Sequence, residues 1–403
     1  MTSLGPIFAD DLARVKPGDR LRLTISAQTS DAAALAQAAL EARARGERVL
    51  VVCADPADVP RLAQEMPWFE PNLDVRPLPD WETLPYDVLS PQEELVSERL
   101  EALYRLTAPT GGADVLLTSA VTASQRLSPV SYIGANTFFF HQGEQISLTT
   151  LQKRLAAAGY ANVKQVLAAG EFAVRGSIVD VFPMGSERPF RLDFFDDEIE
   201  SIRWFDVDTQ RSMESAEEIR LLPGHEFPVD PEALLAFRQR WRREFAGDPK
   251  KSIVYCDIEK EILPPGIEYY LPLFFDETAA LTDYLPPNAR VFLLGDIEAA
   301  LQAFGRDMAS RYKVLAADPQ RPALAPERIW LKPEEFFKSL ANFARFTVEK
   351  KENAEDLKRL SGIEVDRKSQ NPVGKLLERT RESAMMTAGL LTKALATATR
   401  CFS

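Results

Sequence analysis

One short run of the sequence places a large aromatic side chain among charged ones. The run Phe190–Phe195, FRLDFF, has the alternation of a β-strand, in which successive side chains point to opposite faces. One predicted face is apolar, whereas the other carries Arg191, Asp193 and Phe195. An exposed Phe beside Arg is typical of a protein-binding hot spot. Two interpretations are open here: Phe195 binds a partner, or it covers a small local core.

Arg175 adds a second cation to this predicted binding face. It begins the run 175–182, RGSIVDVF, which is predicted to form one strand. If the two strands are neighbours, two guanidinium groups and one ring form a compact patch. Arg can pair a partner's carboxylate through two parallel hydrogen bonds, and Phe supplies an apolar anchor. The predicted partner-binding residues are therefore Arg175, Arg191 and Phe195.

Acidic side chains crowd the end of this strand and the turn that follows it. They are Asp193, Asp196, Asp197, Glu198 and Glu200. Such carboxylates can hold a cation or act as acid and base, but a solvated hairpin turn or a surface complementary to a basic partner explains them more simply. The chain has two histidines, which makes a Ser-His-Asp triad unpromising. We therefore predict no catalytic residue and no metal site.

The segments that could bind a nucleotide lack the residues for it. A phosphate-binding loop needs glycines that let backbone N–H groups approach the phosphates, followed by Lys and Ser or Thr. The early segment 24–31, TISAQTSD, contains neither Gly nor Lys, and the pair Gly374-Lys375 is followed by Leu376. Asp31 is predicted to cap a helix over 32–45. No nucleotide cofactor is expected in this chain.

The composition is that of a folded, acidic protein. The chain has 403 residues, 45% of them hydrophobic, and a net charge of −12. This charge argues against free-standing, non-specific nucleic-acid binding, which depends on Lys and Arg. Three distant cysteines, Cys53, Cys256 and Cys401, predict no disulfide framework and favour a reducing cytoplasm. No apolar run approaches the length of a membrane span, so no membrane partner is expected.

The periodicity of the chain changes twice, which predicts an inserted domain. Residues 1–130 alternate helices with short apolar strands, as α/β units do. Residues 131–212 read as a small α+β unit with an antiparallel sheet, and residues 213–345 return to α/β. Residues 346–403 begin as a charged stretch, which reads as a linker or an exposed helix. Runs 252–256, 289–294 and 328–331 are predicted strands of the third stretch.

Several long motifs resemble one family, the bacterial transcription-repair coupling factors. They occupy residues 171–212 (EFAVRGSIVDVF and onward), 80–106 (DWETLPYD and onward), 221–230 and 264–275. The resemblance extends over roughly residues 15–345. It implies a UvrB-like fold in which a parallel-sheet domain, similar to RecA and other P-loop proteins but with a degenerate loop, is split into parts 1a and 1b by an inserted domain 2. It also implies a linker and a partial third α/β domain within residues 346–403.

The resemblance also implies partners for this chain. Domain 2 of the family binds UvrA, the ATPase of nucleotide excision repair, and Arg175, Arg191 and Phe195 match its contact positions. RNA polymerase and DNA are bound through C-terminal domains, which also use ATP and Mg for translocation, and this chain is expected to lack them. The expected function is recruitment of UvrA. The alternatives are a nucleotide hydrolase with an atypical phosphate loop and a truncated product without function.

Overall fold

A computed structural model describes residues 14–25, 30–108 and 112–350. The strands are β1 (Arg20–Ile25), β2 (Val49–Cys53), β3 (Val75–Pro77), β4 (Val115–Ser119), β5 (Phe138–His141), β6 (Ala161–Asn162), β7 (Glu171–Arg175), β8 (Ile178–Val181), β9 (Phe190–Phe195), β10 (Glu198–Phe205), β11 (Ser212–Ala216), β12 (Glu218–Leu221), β13 (Arg290–Leu294) and β14 (Ala344–Lys350).

Helices connect and cover these strands. They are α1 (Ser30–Ala44), α2 (Asp58–Phe69), α3 (Glu93–Thr107), α4 (Ala120–Ser124), α5 (Val130–Ala135), α6 (Leu148–Ala157), α7 (Pro231–Glu244), α8 (Ile253–Glu259), α9 (Ile297–Leu315), α10 (Pro326–Ile329) and α11 (Pro333–Ser339). Short 3₁₀ turns cover Pro249–Lys251, Ile267–Leu273 and Leu281–Tyr284. Within the described residues, no helix is both long and apolar enough to cross a membrane.

A parallel sheet forms the first layer, in the order β1-β14-β13-β2-β4-β3. Its strands come from residues 20–119 and from residues 290–350, so both flanks of the predicted insert contribute to one sheet. The central strands β2, β4 and β13 are buried along their whole length, because helices cover both faces of the sheet. This burial explains their continuous apolar sequences.

The intervening residues build a second sheet, in the order β11-β10-β9-β8-β7-β6. Its pairs are antiparallel except for the short β6–β7 pair. One face packs in the same core as helix α3 and the parallel sheet, where Leu100, Leu103 and Val52 share a cluster with Leu192 and Phe194. A separate antiparallel pair joins β5 to β12.

Helix α3 is held by a buried ion pair and, separately, by a hydrogen bond to the second sheet. Arg99 is fully buried and donates from Nε to Oε1 of Glu226 at 2.5 Å and from Nη1 to the carbonyl oxygen of Pro79 at 2.7 Å. The backbone N–H of Gly185 donates to Oγ of Ser97 at 2.7 Å. The ion pair ties α3 to the segments that follow β3 and β12, and a buried charge of this kind is costly unless it is paired. The bond to Gly185, in the loop between β8 and β9, ties α3 to the second sheet.

Several predicted elements differ from the observed ones. The run 175–182 is a hairpin and not one strand, because Gly176 adopts φ +63° and Arg175 pairs with Ile178. The run 252–256 begins a helix, since Oγ of Ser252 accepts from the N–H of Tyr255 as an N-cap. Most of the run 328–331 lies in or beside the short helix α10, which ends at Ile329. Short apolar runs of this kind do not distinguish strands from helices.

The sheets also extend past two of the predicted domain limits. Strand β11 continues the second sheet to Ala216, beyond residue 212, and β14 continues the parallel sheet to Lys350, beyond residue 345. Residues 351–403, which include most of the predicted third domain and Cys401, lie outside the described part of the chain.

Candidate protein-docking face

The face of the second sheet that points away from the shared core brings the predicted residues together. Cross-strand pairing places Asp180 opposite Arg191 and Arg175 opposite Ile178. Residues paired in this way point to the same face of a sheet. Arg191 and Phe195 lie on one strand four positions apart, and they therefore point to this face too. We call this surface, carrying Arg175, Asp180, Arg191 and Phe195, the docking face.

Phe195 is the most exposed aromatic side chain of this face. It is 69% exposed, whereas its neighbour Phe194, on the opposite face of β9, is 5% exposed and belongs to the core. Phe195 ends β9 and Asp196 begins the turn to β10 with φ +54°, which carries the chain away from the ring. The interpretation in which Phe195 covers a local core is therefore wrong.

A buried carboxylate orders the two arginines. Asp180 is fully buried, and Arg191 donates to it from Nε at 2.6 Å and from Nη2 at 2.9 Å. Arg175 also donates to Asp180, from Nη2. Both guanidinium groups are thus held in fixed positions on a surface that they share with Phe195. A bidentate pair of this kind restricts the orientation of an arginine as well as its position.

Arg191 is held on its other side too. Its Nη1 donates to the carbonyl oxygen of Gln210 and to Oγ of Ser212, each at 3.2 Å, and its guanidinium group lies 5.0 Å from the ring centre of Phe205. The hydrogen bond to Asp180 raises the pKa of Arg191, so this side chain stays charged. Arg191 is therefore a fixed cation, whereas half of the side chain of Arg175 is exposed.

Sequence reasoning missed two residues of the face. Asp180 was hidden because the turn at Gly176 sets the pairing of its strand, although a lone carboxylate in the apolar run IVDV signals a buried partner. Arg203 lies directly opposite Arg191 in β10, is exposed, and forms no ion pair with any described residue. Like charges directly opposite each other destabilise a sheet, which makes this pair unexpected in a face that only contacts water.

The acidic turn beside the docking face has the structure of an ordinary hairpin end. Asp196 and Asp197 are exposed, and Glu198 accepts a hydrogen bond from Nε2 of Gln145 at 2.8 Å. Among residues 14–25, 30–108 and 112–350, no three His, Cys, Asp or Glu side chains are grouped to hold a metal ion. The turn therefore contributes negative charge to the rim of the face.

A second candidate site is the start of α1, where a P-loop protein would bind phosphate. Residues 26–29 lie outside the described part of the chain. Asp31 is in the first turn of α1, where sequence predicted a cap before the helix, and it is fully buried. Its carboxylate accepts hydrogen bonds from Nη2 and Nη1 of Arg61 at 2.6 and 3.1 Å. A protein carboxylate thus lies in the region of positive potential at a helix N-terminus.

The nearby edge of the parallel sheet is also acidic. A cleft of about 680 Å³ lies at the carboxyl ends of β2, β13 and β14. Its lining includes five carboxylates and one cation, Arg22, which lies 3.2 Å from Glu349, so the net charge is negative. The carboxylates are those of Asp55, Asp58, Asp296, Glu298 and Glu349. Carboxyl ends of parallel strands are the usual ligand site of α/β folds, but this charge would repel phosphate groups.

Comparison with known proteins identifies relatives of both sheets. Residues 138–227 match the family model described as the UvrB interaction domain, and this stretch contains the whole docking face. The chain is 42% identical over 298 residues to the transcription-repair-coupling factor of Escherichia coli (strain K12), an alignment that covers 74% of this chain and 26% of that protein. It is 42% identical over 301 residues to that of Haemophilus influenzae, with the same coverage.

More distant relatives carry the same description. The chain is 32% identical over 216 residues to the transcription-repair-coupling factor of Bacillus subtilis (strain 168), which covers 50% of this chain and 18% of that protein. The aligned part of this chain spans about a quarter of the length of each of the two relatives that are 42% identical to it.

Proposed function

Because the chain contains the N-terminal UvrB-like module of the transcription-repair-coupling factors, we propose that its docking face binds UvrA. The module then recruits nucleotide excision repair to the place where a transcription-repair-coupling factor acts, at stalled RNA polymerase. One observation carries the proposal: a 69% exposed Phe195 shares a face of the second sheet with two arginines that a fully buried Asp180 binds. This arrangement is stable without a partner and is prepared to bind one.

Each part of the face has a distinct role in this proposal. Phe195 enters an apolar pocket of UvrA, where it removes its ring from water. Arg175, whose side chain is half exposed, pairs a carboxylate beside the pocket. Arg191, most of whose N–H groups bond within this chain, adds fixed positive charge to the face. Truncating an anchor of this type typically costs at least about 2 kcal/mol, which corresponds to about 30-fold in the dissociation constant.

The parallel sheet is proposed to support the second sheet, which bears the docking face, and not to hydrolyse nucleotide. We infer a P-loop-like, RecA-like ancestry with a degenerate loop. The buried carboxylate of Asp31 at the start of α1 and the acidic cleft beside β13 support this inference, because both disfavour phosphate. Binding of RNA polymerase and DNA, and work that uses ATP and Mg, are assigned by this proposal to other parts of the relatives. The cytoplasm is the proposed compartment.

Titration of purified UvrA against the immobilised chain tests the docking proposal. Phe195→Ala and Arg191→Ala should each weaken binding about 30-fold, with melting temperatures showing that both variants are folded. Phe139→Ala is the matched control, since Phe139 is also exposed and also lies within residues 138–227 but on β5. Its affinity should equal that of the wild type. If all three variants bind UvrA as tightly as the wild type does, the proposal is refuted.

A further inference from the structure

The loop between β3 and α3 carries a second exposed apolar surface. Leu84, Val88 and Leu89 are 58%, 50% and 60% exposed. Single exposed aliphatic residues are normal on a soluble protein, whereas three within six positions of one loop form a patch that often marks an interaction site. We call these three side chains the 84–89 patch.

The backbone that presents this patch is firmly anchored. The hydroxyl of Tyr269 donates to the carbonyl oxygen of Leu84 at 2.9 Å and lies 2.7 Å from Oγ1 of Thr83. At the other end of the loop, Oγ of Ser90 donates to Oε2 of Glu268 at 2.9 Å. The exposure of the three aliphatic side chains is therefore set by the fold and does not come from a loose loop.

The same loop holds unfavourable backbone conformations. Glu82 and Tyr86 have φ values of +54° and +64°, a region that costs a side-chain-bearing residue about 1–2 kcal/mol. The ring of Tyr86 packs against Trp330 with ring centres 5.8 Å apart. Beneath the loop, a Cβ atom on Gly266 would lie 2.6 Å from the carbonyl oxygen of Asp87, so only glycine fits. Strain retained beside exposed apolar side chains points to a binding role.

The charges around the patch identify the chemistry of its partner. The loop and the first two turns of α3 carry carboxylates, and none of them forms an ion pair with a described residue: Glu82, Asp87, Glu93, Glu94 and Glu98. One cation, Arg321, lines a small cavity together with Asp87 and Val88, so the charge near the patch is negative on balance. Burial and the charge of Glu82 raise the pKa of Glu98, and burial and neighbouring carboxylates raise that of Glu93. This negative field disfavours nucleic acid, and it disfavours a second copy of the same acidic surface.

We propose that the 84–89 patch docks a cationic amphipathic helix of a partner protein. Aliphatic side chains of that helix cover Leu84, Val88 and Leu89, and its Lys and Arg side chains meet the surrounding carboxylates. The surface is separate in sequence from the docking face, because the patch precedes α3 whereas the docking face lies within residues 138–227.

Fluorescence anisotropy with a labelled 15-residue Leu/Lys peptide, patterned to form an amphipathic helix, tests this proposal on the full chain. The double variant Leu84→Ser/Leu89→Ser should bind at least tenfold more weakly than the wild type. Leu235→Ser is the matched control, because Leu235 is an exposed leucine on α7, and it should bind normally. A peptide of equal composition in shuffled order should bind the wild type at least tenfold more weakly.

Three results would overturn the proposal. Equal affinity of wild type and double variant, with both folded by thermal melting, would show that the peptide responds to net charge alone. Equal affinity of the two peptides would mean that no apolar face is recognised. Sedimentation velocity that shows self-association of the wild type, lost in the double variant, would identify a second copy as the occupant.

Discussion

Replacing Asp180 by Asn separates two ways in which the docking face could bind. The change preserves the size of the side chain but removes the carboxylate that holds Arg175 and Arg191. If long-range charge dominates binding, the variant should bind an acidic partner more tightly, since the face gains one positive charge. If fixed orientation of the arginines dominates, the variant should bind more weakly.

The expected sizes of these effects favour weaker binding. Immobilising a long side chain at an interface costs about 0.5–1.5 kcal/mol. Asp180→Asn frees Arg175 and only loosens Arg191, which keeps its bonds to Gln210 and Ser212, so the cost is at most about 3 kcal/mol, or about 150-fold in affinity. The opposing gain from one charge about 4 Å away is about 1 kcal/mol in water and falls with salt. Stability should fall by about 3 kcal/mol, near the lower end for a broken buried ion pair, because Arg175 can turn toward water.

The assay is titration of UvrA against both proteins at low and physiological salt, with urea denaturation to measure stability. Asp193→Asn is the matched control. Asp193 lies on the same face and its replacement changes the charge equally, but its carboxylate forms no hydrogen bond with an arginine among the described residues. We expect Asp180→Asn to bind about tenfold more weakly and Asp193→Asn to bind slightly more tightly. Unchanged or tighter binding by Asp180→Asn would refute the orienting role.

Two further predictions concern stability. Phe194→Ala should cost about 3–5 kcal/mol of unfolding free energy and Phe195→Ala less than about 0.5 kcal/mol, because the rings lie on opposite faces of β9; urea denaturation showing equal losses would contradict the assignment of faces. Burial raises the pKa of Glu268 to about 7, so its contribution to stability is full below about pH 4.5 and is lost as the pH rises through 7. Glu268→Gln should therefore be more stable than the wild type by up to about 3 kcal/mol at about pH 8 and by little at about pH 4.5. Urea denaturation that gives the same difference in unfolding free energy between the two proteins at both pH values would rule this out.

The fold could be predicted wherever burial leaves a local pattern. Strands β2 and β13 are continuous apolar runs, since helices cover both of their faces, and β13 begins one residue after the predicted run 289–294. The pairing of β13 with β2 joins residues far apart in sequence and leaves no such local mark. The run 252–256 was misassigned because a β-branched apolar stretch is equally compatible with a short buried helix when an N-cap such as Ser252 precedes it.

The docking face was predictable in composition but not in geometry. Alternation along β9 was sufficient to place Arg191 and Phe195 together, because side-chain direction in a strand has a period of two. The role of Asp180 depends on two registers that no local pattern shows: that of β7 and β8, set by the turn at Gly176, and that of β8 and β9 across the connection 182–189. Arg203 was overlooked for the same reason: its position opposite Arg191 is a property of the pairing and not of either strand alone.

The two faces of β9 explain how this surface can be both exposed and well ordered. Leu192 and Phe194 face the core that α3 shares with the parallel sheet, so the strand is held in place without help from its other face. The outward face is therefore free to keep features that cost a little stability: the apolar ring of Phe195 in water, and Arg203 opposite Arg191, a repulsion that the pairing of Arg191 with Asp180 reduces. Proteins retain such costs chiefly where a function needs them. The local sacrifice of stability, more than the presence of any one residue, supports the assignment of this face to partner binding.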